Sequence, residues 1–226
     1  KFFNVKNLII TNKKIFDFFK KKNRNKNLKI YNNFDSLNQI IKKKLDYTMS
    51  SITGIAGLEP TLKLISKTKT IAIANKESII CGWNLIKKEL KKYKTNFIPI
   101  DSEHFSISEL IKNKNLDSIE KIYITASGGP FLNYSKFNLS NVSVKDALNH
   151  PNWKMGKKIS IDSATMMNKV FEVIEAKNIF DVDYSKISIL IHSKSYIHAL
   201  IKFYNGQIKL LAHEADMRIP IHNSLY

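Results

Sequence analysis

The sequence predicts an α/β protein whose first part is a doubly wound parallel sheet. Over roughly the first hundred of the 226 residues, short runs rich in β-branched residues alternate with longer runs of helical spacing. That alternation is typical of β-α units. After Glu103 it gives way to irregular, glycine-containing stretches. We therefore expect two regions, with a boundary near Pro99.

The elements of the first region follow from hydrophobic spacing. Short apolar runs predict strands, and apolar residues three or four apart predict helices. Ligands of a parallel sheet bind beyond the carboxyl ends of its strands, so the stretches after the last two strands are candidate site segments. The predicted strands are residues 7–11, 28–32, 46–52, 70–75 and 96–100, and the predicted helices are residues 13–23, 35–44, 57–67 and 76–94.

The second region is predicted to mix helices and strands. The helix SATMMNKVFEVIEAKNIF has Asp162 and Ser163 as N-cap candidates, and the Asn205-Gly206 pair predicts a turn between strands. The expected elements are a short helix at 106–114, a strand entering a glycine loop at 121–131, an irregular stretch at 145–162, the helix at 163–180 and strands within 186–214.

The net charge of +18 would suit a nucleic-acid partner, because lysines neutralise phosphates. Arg24 and Arg218 are the only arginines, however, and arginine is the preferred residue for reading phosphates and bases. Lysine is instead mixed with asparagine and isoleucine along the chain, which indicates a general compositional bias. We therefore expect no nucleic-acid partner.

Other features limit the environment of the chain. Cys81 is the only cysteine, so a reducing compartment and a small buried thiol are expected. No apolar run reaches the ~20 residues of a membrane span, so no membrane partner is expected. The chain begins at Lys1 rather than methionine and stops at Tyr226 without a tail or turn signal, and we interpret it as an internal fragment.

The stretch PIDSEH, residues 99–104, is the first candidate site. If it continues the preceding strand, Asp101 and Glu103 point to one side and Ser102 to the other, because side chains alternate along a strand. Carboxylate oxygens are the ligands that Mg²⁺ and Mn²⁺ prefer. The stretch therefore predicts part of a divalent-metal site.

The helix at 163–180 offers a third acid. Asn168, Glu172 and Glu175 fall on a face separate from its apolar stripe. Solvated carboxylates on a surface helix are the ordinary explanation of such a face. If the helix lies beside PIDSEH, Glu172 would instead complete a three-carboxylate metal site.

Three further segments carry weaker signals. TASGGP contains Ser127 and successive glycines, which allow backbone N–H groups to converge on an anion, although many such loops are only turns. Lys76 in ANKES opens a helix, where lysine opposes the helix dipole. Trp153 in HPNWKMGKK is explained either as part of a lid over a ligand or as an anchor of the loop to the core.

Taken together and in this order, the motifs IAIANKES, PIDSEH, TASGGPF, HPNWKMGKKISIDSATMMNK and DMRIPI resemble the 1-deoxy-D-xylulose 5-phosphate reductoisomerase family. The resemblance runs along essentially the whole chain. It implies a partial Rossmann-like, doubly wound parallel sheet that binds NADPH at 1–99. It also implies an α+β catalytic domain, truncated, that binds metal and substrate at 100–226. The family's glycine-rich cofactor turn and its C-terminal helical domain would lie outside this chain.

The resemblance implies an enzyme that converts 1-deoxy-D-xylulose 5-phosphate to 2-C-methyl-D-erythritol 4-phosphate in non-mevalonate isoprenoid biosynthesis, using NADPH and Mn²⁺ or Mg²⁺. The site residues that it implies are the metal ligands Asp101, Glu103 and Glu172, the substrate-binding residues Lys76, Ser102, Glu103, Ser127, His150, Ser163, Asn168, Lys169 and Glu172, and the cofactor-binding residues Asn75, Glu77 and Gly156. Lys76, Glu103 and Glu172 are the expected catalytic residues.

The resemblance also assigns residues around the site. It places Trp153 in a lid, His198 and Met217 in the site wall, and Glu175 near the metal ligands without binding the metal. It further implies a homodimer in the cytoplasm of a bacterium or in a plastid.

The chain departs from the family pattern in SEHFSIS, where the family has a small residue and an aliphatic-aromatic pair after SEH, and at three further positions. The family usually has glycine where Val170 and His213 stand and proline where Ser193 stands. Val170 adds a branched side chain where the family leaves space, so altered packing near the substrate is expected.

Two alternative functions remain open at the level of the sequence. A different NAD(P)-dependent dehydrogenase would share the β-α region but would need no three-carboxylate site. A basic nucleic-acid-binding protein would show steeply salt-dependent binding.

Overall fold

A computed structural model describes residues 3–153 and 155–226 of the chain. Lys1, the first residue of the predicted first domain, lies outside the described residues, as do Phe2 and Lys154, the last of which falls within the predicted lid.

The first region is built from parallel strands, as predicted. β1 pairs with β2 in one small sheet, and β3, β4 and β5 form a second sheet in that order. Helices join the strands and cover a core of isoleucines from α3, β4 and α4. The elements are β1 Asn7–Ile9, α1 Lys13–Lys22, β2 Lys29–Tyr31, α2 Leu37–Ile40, β3 Leu45–Ser50, α3 Leu58–Ile65, β4 Thr68–Ile73, α4 Lys76–Tyr93 and β5 Asn96–Pro99.

The second region contains one mixed sheet and the remaining helices. The elements are α5 Ser102–Ile111, β6 Ile119–Ala126, α6 Lys136–Leu139, α7 Val144–Leu148, α8 Lys157–Ala164, α9 Met167–Phe180, β7 Ile187–Ile191, β8 Ile197–Phe203, β9 Ile208–Ala212 and α10 Arg218–Asn223. The strand order is β7-β6-β8-β9, with β7 parallel to β6 and the other pairs antiparallel. The predicted fold class is confirmed.

The two faces of this sheet differ. One face packs against α5 and α9 through a core that includes Ile107, Ile122, Ala176 and Phe180. On the other face, Tyr123, Leu200 and Leu210 lie opposite one another across β6, β8 and β9, and Leu210 is 51% exposed. The second face is therefore open and partly apolar, with Lys121 and Lys202 beside these residues on the same face.

PIDSEH does not continue its strand. β5 ends at Pro99, and α5 starts at Ser102 with Asp101 as its N-cap, whose side chain accepts a hydrogen bond from the Glu103 N–H at 3.2 Å. The prediction of an extended segment is wrong. Aspartate at the N-cap and glutamate in the first turn both stabilise the positive end of a helix.

The stretch before α9 is also more helical than predicted. Residues 145–162 contain the end of α7 and most of α8, and the single helix expected from residue 163 is two helices. Met166 separates them with a left-handed backbone, φ 61°. Asp162 and Ser163 therefore lie in the last turn of α8 and do not cap α9, which corrects the N-cap prediction.

Cys81 is exposed, so the prediction of a buried thiol is wrong. It lies on α4, whose buried residues include Ile79, Gly82 and Ile86. Helical spacing turns residue 81 away from the face that these three residues share.

α9 has its charged face turned inward. Lys169, Glu172 and Glu175 are buried, whereas Met167 is 42% and Val170 is 45% exposed. Val170 thus points away from the pocket described below, and the expected change of packing near a substrate is not observed.

Within residues 3–153 and 155–226, none of the helices combines the length and the apolar character needed to cross a membrane.

Candidate active site

A pocket lies where the carboxyl ends of β4, β5 and β6 meet α8 and α9. Helix starts, helix ends and loops contribute its side chains, as expected for ligands of an α/β sheet. The pocket is lined by all the predicted metal and substrate residues, namely Lys76, Asp101, Ser102, Glu103, Ser127, His150, Ser163, Asn168, Lys169 and Glu172, and by Trp153, His198 and Met217.

Asp101, Glu103 and Glu172 bring one carboxylate oxygen each to within 4.8 Å of one another. Because the donors are all carboxylate oxygens, the set fits a hard divalent cation such as Mg²⁺ or Mn²⁺. Burial and the neighbouring Glu103 raise the pKa of Glu172 despite Lys169 and Lys76. Such crowding of buried negative charge is relieved by a bound cation.

Lys76, the first residue of α4, reaches into the middle of the acids. Its Nζ lies 3.0 Å from Asp101 Oδ2, 3.0 Å from Asn168 Oδ1 and 3.4 Å from Glu172 Oε1. Burial favours the neutral amine, but Asp101, Glu172 and Glu175 outweigh it and raise the pKa of Lys76 well above its ordinary value. Lys76 is therefore a permanent cation in the pocket wall.

Lys169 supplies a second buried cation. Its Nζ lies 3.3 Å from Glu103 Oε1 and also contacts Glu172. Burial opposes the charge, but Glu103 and Glu172 raise the pKa of Lys169. Two fixed cations beside a pocket suit an anionic ligand.

His104 and Glu175 lie behind the three acids. His104 Nδ1 lies 2.9 Å from Asp101 Oδ1, and its Nε2 lies 2.8 Å from the backbone oxygen of Glu172. Burial lowers the pKa of His104, but Glu175 and Asp101 raise it to about 9. Burial raises the pKa of Glu175 to about 7 against His104 and Lys76. With both nitrogens protonated, His104 donates twice and links α5 to α9.

Asp101, His104 and Glu175 also approach one another closely enough to hold a metal ion. An imidazolium has no lone pair to offer, so the three-carboxylate set is the better metal site. The sequence prediction gave His104 no role, although it stands three residues after Asp101. That spacing would have identified it if residues 102–111 had been predicted as a helix.

Ser127 and His150 form a directed pair on the opposite wall. His150 Nδ1 accepts hydrogen bonds from the N–H groups of Asn152 at 3.2 Å and Trp153 at 3.0 Å. Its Nε2 therefore carries the proton and donates to Ser127 Oγ at 3.1 Å. Ser127 Oγ also accepts from Gly129 N–H at 3.1 Å, so its own hydroxyl proton remains available to a ligand. Burial lowers the pKa of His150.

The glycine loop after β6 has a packing role. A Cβ on Gly129, whose φ is 70°, would lie 2.7 Å from the backbone oxygen of Ser163. Only glycine lets the loop approach the end of α8 so closely. The Gly129 N–H is engaged by Ser127 Oγ, and anion binding by the other N–H groups of the loop stays a prediction.

The predicted cofactor residues stand outside the pocket lining. Asn75 caps α4 by accepting from the Ser78 N–H at 2.5 Å, and its amide donates to Gly54 O at 2.8 Å. Glu77 pairs with Lys158 at 3.0 Å. Gly156 is the N-cap of α8. The three residues border the pocket at the adjoining ends of α4 and α8.

Comparison with known families supports the resemblance carried by the motifs. The family model described as "1-deoxy-D-xylulose 5-phosphate reductoisomerase" matches residues 1–82, and the family model of that enzyme's C-terminal domain matches residues 97–180.

Curated relatives carry the same name. 1-Deoxy-D-xylulose 5-phosphate reductoisomerase of Pelagibacter ubique (strain HTCC1062) is 63% identical over 228 residues, covering 100% of this chain and 59% of that protein. The protein of that name from Clostridium kluyveri (strain NBRC 12016) is 45% identical over 226 residues, covering 99% and 59%. The chain thus spans about three fifths of the length of these relatives.

Solved structures of proteins with this name also match the fold of the chain. A crystal structure of DOX-P reductoisomerase in complex with NADPH, fosmidomycin and magnesium matches with a TM-score of 0.89 and 36% identity, covering 97% of this chain and 57% of that one. The reductoisomerase from Zymomonas mobilis in complex with NADPH matches with a TM-score of 0.87 and 37% identity, covering 98% and 57%. The chain belongs to the 1-deoxy-D-xylulose 5-phosphate reductoisomerase family.

Proposed function

We propose that the complete natural protein carrying this sequence is an NADPH- and divalent-metal-dependent reductoisomerase. It converts 1-deoxy-D-xylulose 5-phosphate to 2-C-methyl-D-erythritol 4-phosphate in non-mevalonate isoprenoid biosynthesis. The observation that carries the proposal is the pocket itself. Three carboxylate oxygens within 4.8 Å of one another stand beside two buried lysines in a chain of this family.

Asp101, Glu103 and Glu172 would hold the metal, either Mg²⁺ or Mn²⁺. When bound there, the cation supplies a Lewis acid and a template for the oxygen atoms of the substrate. The magnesium in related structures supports this assignment. Lys76, 3.0 Å from Asp101, adds positive charge on the side of the pocket where a developing oxyanion would need it.

The substrate phosphate would be held between Ser127 on one side of the pocket and Ser163, Asn168 and Lys169. Its donors include the free hydroxyl proton of Ser127 and the ammonium group of Lys169, which suit phosphate oxygens. Ser102 Oγ donates to Glu103 Oε2 at 2.5 Å and can contact a substrate hydroxyl beside the metal. Binding energy from the phosphate then orients the reacting carbons, which lie away from it.

NADPH supplies the hydride that reduces the rearranged aldehyde. Asn75, Glu77 and Gly156 would contact it from the adjoining ends of α4 and α8. Complexes of related structures with NADPH support the cofactor. Trp153, which lines the pocket, would act as part of a lid over both ligands.

The remaining parts of the proposal concern the whole protein. The domains divide at residues 99 and 100, between the parallel sheet and α5. The open, partly apolar face of the β7-β6-β8-β9 sheet would pair with a second copy in a homodimer. The bacterial relatives support a cytoplasmic location.

The test follows NADPH absorbance with 1-deoxy-D-xylulose 5-phosphate, using the complete natural protein with and without Mn²⁺ or Mg²⁺. Substrate-dependent oxidation that requires the metal is expected. Oxidation without metal would favour a different NAD(P)-dependent dehydrogenase. No oxidation by a well-folded protein would exclude the proposed reaction.

A further inference from the structure

His213 stands next to the pocket, against a residue of its wall. It follows β9 and is half-buried. Its ring stacks on that of His198, with centroids 3.8 Å apart and planes 21° apart. His198 is buried and lines the pocket. The His213 ring thus supports a residue of the pocket wall.

The two rings are also held by the backbone. His198 Nε2 donates to the His213 carbonyl oxygen at 3.2 Å, and His213 Nδ1 donates to the Glu214 carbonyl oxygen at 2.6 Å. The first of these bonds uses a carbonyl group, which any residue at position 213 would provide. The stacked ring is the part of the contact that requires this side chain.

Trp153 packs on the other member of the pair. Its ring lies 6.1 Å from that of His198, at 70°, in an edge-on contact. The chain preceding Trp153 is fixed separately: His150 Nδ1 accepts from its N–H, and the Asn152 amide donates to Ser195 Oγ at 3.0 Å. The base of the segment is therefore anchored by hydrogen bonds, whereas the indole is seated by ring packing.

Burial and the stacked His213 ring together keep the His198 ring uncharged. Burial lowers the pKa of His198 to about 4, and the neighbouring His213 ring adds to the effect. Two imidazolium rings in contact would repel each other. His198 therefore presents a neutral aromatic ring, whose packing with another aromatic ring contributes about 0.5–1.5 kcal/mol beyond area burial.

We propose that His213 is a positioning residue, whose ring holds His198 in place against Trp153 and so sets how the Trp153 indole covers the pocket. The proposal rests on the proposed function only for its effect on turnover. The seating of Trp153 is a property of the chain itself.

Trp153 fluorescence tests the seating directly. Trp83→Phe leaves Trp153 as the only tryptophan of these 226 residues, which contain two, and any tryptophan elsewhere in the complete protein is also replaced by phenylalanine. In that background, His213→Gly keeps the carbonyl acceptor and removes the ring. We expect acrylamide to quench Trp153 about twofold more efficiently, since an unseated indole is more exposed. His213→Phe restores a stacked ring and should restore the quenching of the parent. His222→Gly, in the exposed part of α10, is the control and should change nothing.

Steady-state kinetics of the complete protein give the second readout. His213→Gly should raise KM for 1-deoxy-D-xylulose 5-phosphate several-fold with less than about a twofold change in kcat, and His213→Phe should reverse this. If the protein has no such activity, the kinetic arm fails and the fluorescence arm still decides. Unchanged quenching in His213→Gly, or failure of His213→Phe to restore it, would overturn the proposal. His213→Ala replaces the glycine variant if thermal unfolding shows that the latter does not fold.

Discussion

At the scale of single residues, the site depends on groups whose hydrogen-bonding direction is fixed by their neighbours. Two backbone N–H groups occupy His150 Nδ1, which sends its proton toward Ser127 and leaves the serine hydroxyl free to donate. His104 donates from both ring nitrogens. Preorganised donors of this kind need no reorientation when an anionic ligand binds.

Gly129→Ala should destabilise the protein more than an ordinary glycine substitution. A Cβ at this position meets the Ser163 backbone oxygen at 2.7 Å and lies at a positive φ. Gly206 also has a positive φ but open space around it, so Gly206→Ala is the matched control and should cost only the left-handed strain, ~1 kcal/mol. We expect at least ~2 kcal/mol for Gly129→Ala, measured by urea unfolding. Equal losses of unfolding free energy in the two variants would mean that the loop moves away from Ser163 at no cost.

The buried imidazolium of His104 makes stability depend on pH. Its pKa is raised from 6.5 to about 9 in the folded chain, so its contribution is complete below pH 6.5 and is lost as pH rises through about 9. The pKa of Glu175, raised to about 7, acts in the same direction at lower pH. In EDTA, the free energy of unfolding should fall by about 3 kcal/mol across the His104 window.

His104→Gln should remove most of that fall, because glutamine does not titrate. Exposed His222→Gln should keep it. Unfolding by urea at pH values on either side of the window measures the difference. If the free energy of unfolding fell equally with pH in His104→Gln and in the parent, the fall would not come from His104.

At the scale of elements, the sequence predicted the parallel strands and α4 well, because their hydrophobic spacing is regular. The sequence identified Asp101 and Glu103 correctly as neighbouring site residues, but from a predicted strand. The two acids instead lie at the N-cap and in the first turn of α5, which also brings them together. The break between α8 and α9 could not be predicted, because methionine rarely adopts the left-handed backbone found at Met166. The charged face of α9 remained open between a solvated surface and a site on spacing alone, and only the resemblance assigned Glu172 and Lys169 to the site.

α4 and α8 are joined by Lys158, whose Nζ contacts Glu77 at 3.0 Å and Asp162 at 2.6 Å. Its charge outweighs the effect of burial and lowers the pKa of Glu77. Lys158 is about half exposed, so a double-mutant cycle of Lys158→Met and Glu77→Gln should give a coupling of only ~0.5–1 kcal/mol.

The Lys87 and Asp181 pair is the control for this cycle. It joins α4 to the end of α9 at 3.4 Å and is more exposed, so its coupling should be close to zero. Urea unfolding of both sets of variants gives the comparison. A coupling for Lys158 no larger than that for Lys87 would remove its role in holding the two helices together.

At the scale of the whole molecule, the open face of the β7-β6-β8-β9 sheet predicts that the protein self-associates. Leu210→Asp puts a charge among the apolar residues of that face and should convert a dimer of the complete protein to monomers, because an unpaired carboxylate is costly to bury. Leu85 is an exposed residue of α4, and Leu85→Asp is the control. Sedimentation velocity measures both. A dimer that survives Leu210→Asp would place the interface elsewhere.

The inward face of α9 links the folded state to the supply of metal ions. Glu172, Asp101 and Glu103 are brought together only when α5 and α9 pack, so an ion bound among them stabilises the folded chain alone. At a concentration about a hundred times its Kd, such an ion adds about 2.7 kcal/mol to the free energy of unfolding.

Mg²⁺ or Mn²⁺ should therefore raise the melting temperature of the parent. Glu172→Gln should fold yet show little of this increase, and the complete protein with this change should lose turnover. KCl at matched ionic strength controls for screening, and an equal rise in both proteins would contradict the ligand assignment. Because proteases degrade unfolded chains, a cell short of these ions would degrade more of the protein, and metal scarcity would lower its amount without any change in its gene's expression.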